Sequence, residues 1–537
     1  MKIRSRFFYI LAFIVTFSVC GFGAEEKPPN IILILTDNLN PDLLGPYGNT
    51  EIRTPNLDKM AQEGLTFDRA FSVSGVCSPA RATLLTGLLP SQTGVHNALP
   101  SSFEVENWSA IEEFRNLPQT LSDAGYTTGL IGKYHLGQPD NPQLGFDEWV
   151  TFPSGHTNSF YGATIIDNGQ SYWEEDTHLT DFWTAKAEEF IRKKAGRTKP
   201  FFLFLSYNGP YNLAPVVLNP PNNRHVPYYE KHVPATPQEP LHPFLKNLII
   251  DVTLDNREAL KGWRIDEGTG GREGEKLVWA DLAWQVAESL NNKTAMINVG
   301  SEVSMVDDGV GRILAMLEDL GLTEETLVIF SSDQGAAYGQ HGLWGNSSQA
   351  RPVVAYDENM HIPFIARHPG KIEAGRRVDD MISLYDVLPT LLNYTGLDNL
   401  PVRNSPGTSF HDVLLGNEVK WKNEVFFEYI LTRAIRTPEW KYVKRFLRTP
   451  DELYHLTVDP DENRNLASDP DYKDTVAALD LRLTGFFETY ADPDYNVWKG
   501  GTAKAALMYG GRNKPFEEHF PGWKKPFVKK ADSIFRD

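Results

Sequence analysis

Four short apolar runs, each bounded by turn-forming residues, constrain the fold of this chain more than any other feature. They cover residues 30–35, 128–131, 201–206 and 327–331. A continuous apolar run of this length is typical of a strand buried on both faces, which is the pattern of parallel sheets. Helical periodicity lies between the runs, for example at residues 117–124 and 179–194. This alternation predicts an α/β fold with a large mixed, mostly parallel sheet sandwiched by helices.

The chain has 537 residues, which is more than one compact core usually holds. Its character changes near residue 415, where short apolar segments at 425–429 and 440–446 alternate with charged turns before a helical run at 475–490. We therefore expect a large domain over residues 25–415 and a smaller α+β subdomain over residues 416–537. Residues 210–243 show little periodicity, and such a stretch is usually a functional loop or disordered.

The N-terminus has the pattern of a secretory signal peptide over residues 1–24. Basic residues precede an apolar run at residues 7–19, and small residues follow at 21–24. The run is shorter than the ~20 residues of a spanning helix, so we expect no transmembrane segment and a secreted or periplasmic protein. Cys20 offers a lipid anchor as an alternative, although residues 17–19 match a lipoprotein cleavage site poorly.

The formal net charge of −18 argues against nucleic acid or an acidic membrane surface as a partner. If the substrate is an anion, it must then be attracted by a local basic pocket.

Polar residues follow each of the four apolar runs. They are Thr36-Asp37-Asn38, Gly132-Lys133-Tyr134-His135, Tyr207-Asn208 and Asp333-Gln334. Ligands of open α/β sheets bind outside the carboxyl ends of the strands. The sequence therefore predicts a functional site where these four strand ends meet.

Cys77 is the one cysteine that remains after the predicted signal peptide, so it has no internal disulfide partner. A buried thiol acting as a small hydrophobe is the simplest interpretation. However, Pro79 suits the first turn of a helix, and Arg81 lies four residues after Cys77 on the same helical face. The N-terminus of a helix is a natural anion site, so the segment predicts a nucleophile and a cation at one point.

The segment 77–87 resembles the hallmark of the formylglycine-dependent (type I) sulfatases of the alkaline phosphatase superfamily, Cys-x-Pro-x-Arg with a Leu-Thr-Gly ending. The match includes Cys77, Pro79, Arg81 and Thr86-Gly87. The resemblance extends along nearly the whole mature chain and includes polysaccharide and aryl sulfatases of the secreted bacterial type. It implies an alkaline phosphatase-like fold and a sulfuric ester hydrolase. It also implies that a maturation enzyme oxidises Cys77 to formylglycine (3-oxoalanine), which is hydrated to a diol.

Residues 132–137 resemble the Gly-Lys-x-His-Leu-Gly segment of the same family. The resemblance implies that Lys133 binds a sulfate oxygen and that His135 holds and deprotonates the diol hydroxyl, completing a catalytic set with Cys77 and Arg81. A solvated lysine beside a loop histidine is the alternative interpretation.

Oxygen-rich side chains at two strand ends predict one Ca²⁺ ion, because this hard cation prefers six or more oxygen ligands. The predicted ligands are Asp37, Asn38, Asp333, Gln334 and the modified Cys77. The family more often has two aspartates in the first pair and Asp-Asn in the second. The amides of Asn38 and Gln334 therefore imply a less negative site and weaker or altered ion coordination.

Two positions depart from the family pattern. Tyr211 follows Gly209-Pro210 where the family has a histidine acid, and a phenol with an ordinary pKa near ~10 is a poorer acid at neutral pH. Asn346 stands where some members have a substrate-binding lysine, and Arg351 could replace that charge. His156 and His341 are candidate replacements for the histidine, so these five residues form the predicted substrate-binding set.

The first substrate hypothesis is a sulfated polysaccharide or its oligosaccharides, ahead of simple aryl or choline esters. The aromatic residues of the segment 210–243 and the twelve tryptophans of the chain suit stacking on sugars. Two rival functions remain. One is a phosphodiester or phosphonate hydrolase of the same superfamily. The other is a catalytically impaired sulfoglycan-binding homologue, suggested by Tyr211 and Asn346.

Overall fold

The computed structural model describes residues 27–99, 108–153, 155, 157, 159–213, 216–219, 222–235, 237–253, 283–350, 352–397, 404–446 and 450–504. The predicted signal peptide with Cys20, and the predicted site residues His156 and Arg351, lie outside these ranges.

A mixed sheet of eleven described strands forms the centre of the molecule. Its order is β12-β2-β11-β8-β1-β7-β3-β4-β5-β6, and β13 pairs with β2. The strands of the chain are β1 Asn30–Asp37, β2 Leu65–Phe71, β3 Thr127–Gly132, β4 Glu148–Thr151, β5 Ala163–Asp167, β6 Gln170–Glu174, β7 Phe201–Pro210, β8 Thr326–Ser332, β9 Ala337–Tyr338, β10 Trp344–Gly345, β11 His361–Arg367, β12 Arg376–Val378, β13 Ile382–Ser383, β14 Val425–Tyr429, β15 Thr432–Arg436, β16 Trp440–Arg445 and β17 Glu452–His455.

The four predicted apolar runs are the adjacent strands β8, β1, β7 and β3, which pair in parallel. Every residue of β1, β7 and β8 is buried. This burial explains why the runs are apolar without alternation, since both faces of a central parallel strand lie against helices. The predicted fold class is therefore confirmed.

Helices cover both faces of the sheet. They are α1 Pro55–Gln62, α2 Cys77–Thr86, α3 Pro90–Thr93, α4 Leu117–Asp123, α5 Leu179–Lys194, α6 Val226–Tyr229, α7 Pro243–Thr253, α8 Lys293–Asp319, α9 Asp357–Met360, α10 Val387–Tyr394, α11 His411–Leu414 and α12 Lys473–Tyr490. Helices α5 and α8 pack on the face that Ile32 and Ile34 of β1 present. Helices α2, α4 and α10 pack on the opposite face, which Ile31 and Leu33 present. No helix among the described residues is both long enough and apolar enough to cross a membrane.

A four-stranded antiparallel sheet, β14-β15-β16-β17, follows the large sheet, and α12 packs against it. Strands β14 and β16 and helix α12 confirm the elements predicted at residues 425–429, 440–446 and 475–490. The buried ammonium of Lys441 holds this sheet to the rest of the chain, since its Nζ lies 2.6 Å from Asp357 Oδ1 and 2.7 Å from Glu462 Oε1. The apolar cluster beneath the sheet includes Val76, the residue before Cys77.

Candidate active site

The carboxyl ends of three of the four central strands carry the predicted polar residues to one place, whereas β7 continues to Pro210, and Tyr207 and Asn208 bond to Thr184 and Trp183 of α5. Asp37 is the last residue of β1, Lys133 follows β3, and Asp333 follows β8. Because these strands are neighbours in a parallel array, their ends share one edge of the sheet. The side chains of Asp37, Asn38, Lys133, Asp333 and Gln334 are all fully buried at this edge.

Cys77 begins α2, and the N-terminus of this helix faces the same edge. The Sγ of Cys77 lies 3.5 Å from Asp37 Oδ1. One potential metal-ligand atom from each of Asp37, Cys77 and Asp333 lies within 4.8 Å of the other two. Burial, together with the charge of Asp37, raises the pKa of the Cys77 thiol to about 12. An unmodified Cys77 is therefore a protonated thiol at neutral pH, which is a poor nucleophile.

Arg81 is held rigidly one helical turn after Cys77. Its Nε and Nη2 lie 2.9 and 2.8 Å from Asp333 Oδ2, and its Nη1 donates to the carbonyl of Lys133 at 2.9 Å and to Ser206 Oγ at 2.6 Å. Its side chain is only 1% exposed. Ser206, in the middle of β7, was missed by the sequence reasoning, although a hydroxyl at the end of the apolar run 201–206 was an available signal.

Lys133 forms a buried ion pair with Asp37 Oδ2. Burial is the largest influence and lowers the pKa of Lys133, but the charges of Asp37, Cys77 and Asp333 together outweigh it, and the pKa is raised overall. The backbone N–H of Lys133 donates to the carbonyl of Ser206 at 2.7 Å. Gly132 permits this approach, because its φ is +109° and a Cβ would lie 1.8 Å from that carbonyl oxygen.

His135 lies beside the first turn of α2. Its carbonyl accepts a hydrogen bond from Ser78 Oγ at 2.8 Å, and its Nε2 lies 2.9 Å from the carbonyl oxygen of Leu99. Its ring packs against Gly155, where a Cβ would lie 2.0 Å from Nε2. The structure thus brings His135 to the residue next to Cys77, and its role in proton transfer stays a prediction.

The four oxygen-bearing residues fit a divalent cation. Gln334 Nε2 lies 2.7 Å from Asn38 Oδ1, 3.4 Å from Asp37 Oδ1 and 3.3 Å from Cys77 Sγ, so acceptors converge on one amide group. Gln334 Oε1 is buried without a hydrogen-bond partner among the described residues. The two ends of an amide are assigned from hydrogen bonding alone. With the amide turned, Oε1 joins two carboxylates and the Asn38 amide as the hard oxygen ligands that Ca²⁺ or Mg²⁺ prefers.

The charges of the site are balanced before any ion binds. Asp37 and Asp333 are matched by Lys133 and Arg81, and all four side chains are almost completely buried. A divalent cation would therefore leave a net positive charge at the N-terminus of α2. Such a site attracts an anion despite the net charge of −18 for the whole chain.

The described members of the predicted substrate-binding set differ in their surroundings. The ring of Tyr211 lies 5.5 Å from Lys133 Nζ. Asn346 accepts hydrogen bonds from Ser348 N and Oγ, and the next residue, Ser347, donates its N–H to the carbonyl of Gly75 in the loop before Cys77.

His341 stacks on Tyr356 with ring centroids 3.7 Å apart, and its Nε2 lies 3.6 Å from Glu358 Oε2. These contacts give His341 structural partners of its own. Its predicted role in substrate binding stays a prediction, as do those of Tyr211 and Asn346.

Two sequence profiles match the chain. The profile of the sulfatase family matches residues 29–397, and that of the N-sulphoglucosamine sulphohydrolase C-terminal region matches residues 341–488.

Individual proteins are similar over most of their length. An N-acetylglucosamine-6-O-sulfatase of Bacteroides thetaiotaomicron is 27% identical, with 88% of each chain covered. An N-acetylgalactosamine-6-sulfatase of Canis lupus familiaris is 28% identical over 80% of this chain and 74% of its own. A structure solved in complex with its substrate, D-glucosamine-2-N,6-O-disulfate, has a similar fold with a TM-score of 0.68 and 24% identity, covering 87% of this chain and 99% of the other.

Proposed function

The chain belongs to the sulfatase family, a family of sulfuric ester hydrolases, and on this premise we propose that it removes sulfate from a sulfated polysaccharide or its oligosaccharides. The observation that carries the proposal is the buried cluster at the start of α2, where Cys77, two carboxylates, Arg81 and Lys133 meet. The pattern of residues 1–24 supports export, so we place the enzyme in the periplasm or outside the cell.

The nucleophile of the proposed enzyme is a formylglycine made from Cys77 by a maturation enzyme. The raised pKa of Cys77 argues against the unmodified thiol as the nucleophile, because a buried thiol would not ionise at neutral pH. As a formylglycine hydrate, residue 77 would supply two hydroxyls, one that attacks sulfur and a second whose deprotonation would re-form the aldehyde as the C–O bond to sulfate breaks.

Arg81 and Lys133 neutralise charge on the transferring sulfuryl oxygens. Arg81 is already fixed by Asp333, Ser206 and the Lys133 carbonyl, so its guanidinium needs no reorganisation during the reaction. Preorganised charges of this kind are usually the largest contribution to catalysis. Asp37, Asn38, Asp333 and Gln334 would hold one Ca²⁺ ion, which would act as a Lewis acid on a sulfuryl oxygen.

Proton transfer falls to residues at the rim of the cluster. His135 would accept the proton of the attacking hydroxyl, because His135 lies next to the first turn of α2. Tyr211, beside Lys133, would donate its O–H to the oxygen of the leaving sugar.

The sugar class rests on the relatives. Two similar proteins are named as 6-sulfatases of N-acetylglucosamine and N-acetylgalactosamine. We therefore infer a sulfated amino sugar as the first substrate to test.

Mass spectrometry and paired substrates test the proposal. After production with a formylglycine-generating enzyme, the peptide that contains Cys77 is expected to carry the aldehyde. The protein is then expected to hydrolyse N-acetylglucosamine 6-sulfate or N-acetylgalactosamine 6-sulfate faster than the matching phosphate esters, and a Cys77→Ala variant should hydrolyse neither. Preference for the phosphate ester would favour the phosphodiester or phosphonate hydrolase, and an unmodified thiol would favour the sulfoglycan-binding protein.

A further inference from the structure

Trp173 is an exposed tryptophan on the edge strand β6. Its side chain is 59% exposed, although an indole in water carries a hydrophobic cost. Its neighbour Tyr172 interacts with Lys186 of α5, and side chains of a strand alternate between faces. Trp173 therefore points to the face opposite α5, which is the face on which α2 lies.

The strand register places Trp173 toward the same edge of the sheet as the active site, where the carboxyl ends of the parallel strands lie. Strand pairing aligns one residue on each strand from β1 to β5. These residues are Ile34, Leu205, Ile131, Val150 and Asp167. Asp37 lies three residues beyond Ile34, and Thr164, which pairs with Trp173, lies three residues beyond Asp167 in the same direction. Three strand spacings separate β6 from β3, which carries Lys133 at its end, a lateral distance of about 14 Å.

The connection between β4 and β5 joins the active site to Trp173. Near its start, Gly155 packs on the ring of His135. At its end, Gly162 lies under the indole, where a Cβ would be 3.0 Å from Cζ2 of Trp173. Between them, Phe160 stacks on the buried ring of His178 with an interplanar angle of 2°. The connection between β4 and β5 therefore contacts both the ring of His135 and the indole of Trp173.

The chemistry around the indole suits an uncharged sugar. The apolar face of an indole stacks on the C–H face of a pyranose ring. Three carboxylates follow directly, Glu174, Glu175 and Asp176, and Trp173 Nε1 donates to Glu175. Carboxylates accept hydrogen bonds from sugar hydroxyls, but they repel sulfate and uronate groups.

We propose that Trp173 forms a distal subsite for an uncharged sugar residue of the substrate chain. This rests on the proposed function, with the sulfated sugar at Lys133. The separation of about 14 Å between β3 and β6 is longer than one sugar ring, so we place on the indole a sugar further along the substrate chain than the sulfated one. The enzyme is therefore built for oligosaccharides in which a neutral sugar lies beyond the sulfated one.

Kinetics on substrates of increasing length test the subsite. The probes are N-acetylglucosamine 6-sulfate and N-acetylglucosamine di-, tri- and tetrasaccharides with one 6-sulfate at the non-reducing end. We expect kcat/KM to rise with length in the wild type. Trp173→Ala should lower kcat/KM about tenfold on the longer probes and leave the monosaccharide unchanged. Trp173→Tyr should recover most of the loss, and longer probes with a second sulfate on the distal sugar should lose the advantage of length.

Tyr172→Ala is the matched control, since it removes an aromatic ring from the other face of the same strand. An equal loss in Tyr172→Ala, or a loss on the monosaccharide, would show a structural effect and overturn the subsite. So would an unchanged length dependence in Trp173→Ala. Light scattering tests a further alternative. If the wild type forms an oligomer and Trp173→Ala does not, the indole lies in a contact between copies and the subsite is overturned.

Binding without turnover separates this inference from the proposed function. If the wild type hydrolyses none of the probes, the proposed function fails in this assay. Calorimetry with unsulfated N-acetylglucosamine tetrasaccharide then still decides the subsite, because binding that Trp173→Ala weakens supports it and the absence of binding overturns it.

Discussion

Replacing Gln334 by glutamate should destabilise the folded protein without calcium, and calcium should recover part or all of that loss. The amide of Gln334 lies 2.7 Å from Asn38 Oδ1 and 3.4 Å from Asp37 Oδ1, and the site holds two carboxylates against two cations. Gln334→Glu keeps the size of the side chain and adds a third carboxylate where acceptors already converge. Without an ion the new charge is repelled, and with Ca²⁺ it becomes a ligand.

The magnitude follows from the distances. Two carboxylates about 4 Å apart repel by about 4 kcal/mol at an effective dielectric constant of 20. This value is a ceiling, because Lys133 and Arg81 offset part of the repulsion and the glutamate can take up a proton. In a chain of 537 residues, a loss of this size would lower the melting temperature in chelator by ~4 °C. With calcium, an added charged ligand should tighten the ion at least about tenfold.

Differential scanning calorimetry in EDTA and in saturating calcium, with a calcium titration, measures both effects. Ligand that binds the folded state stabilises it, so the gain from calcium should be larger in the variant than in the wild type. Gln92→Glu is the control, because Gln92 is also buried but bonds to the backbone of Leu89 and Asn404. Its cost should be equal in both buffers. An equal cost for Gln334→Glu in EDTA and calcium would refute a metal site at this position.

Three further outcomes are expected. Cys77→Ser should abolish turnover on sulfate esters and accumulate a sulfated serine detectable by mass spectrometry, because a serine has no second hydroxyl for release; normal multiple turnover would exclude the formylglycine mechanism. Tyr211→Phe should lower kcat on a sugar sulfate about 100-fold and change hydrolysis of 4-nitrophenyl sulfate little, since nitrophenolate leaves without a proton; equal losses would remove Tyr211 from proton donation. Burial raises the pKa of Asp386 to about 7, above an unfolded value near ~3.9, so its deprotonation costs stability as pH rises between these values. The melting temperature of Asp386→Asn, relative to that of the wild type, should therefore be higher at pH 8 than at pH 5. A lower relative melting temperature at pH 8 would contradict the raised pKa.

The sequence reasoning succeeded for elements with a strong local pattern. The apolar runs of β1, β3, β7 and β8 and the periodicity of α5 and α12 are properties of short segments, so they could be found without the rest of the chain. Strands β15 and β17 were missed. In β15, every residue is buried, including Arg433 and Arg436, whose charges pair with Glu428 and Asp357, so the expected alternation is lost. Their charges are satisfied only by partners that the sequence does not identify.

The residue types of the candidate site were also predictable, because carboxylates, a lysine and a histidine follow strands that must share one edge. Several features depended on contacts between distant segments. Arg81 and Asp333 are 252 residues apart, and Gln334 and Cys77 are 257 apart. The role of Ser206 as an acceptor for Arg81 and the position of Trp173 toward the edge that carries Asp37 follow from strand pairing, which no local pattern encodes.

Local periodicity and motif spacing were thus enough for the class of fold, the start of α2 and the kinds of side chain that the edge would carry. The tertiary structure decided which of these side chains meet and in what state. Burial of Cys77 beside Asp37 makes its thiol a weak acid, and the two ion pairs balance the charge of the site before an ion binds. Both effects arise from the exclusion of water by segments hundreds of residues apart, and this desolvation is a property of the packed molecule, absent from any single stretch of the chain.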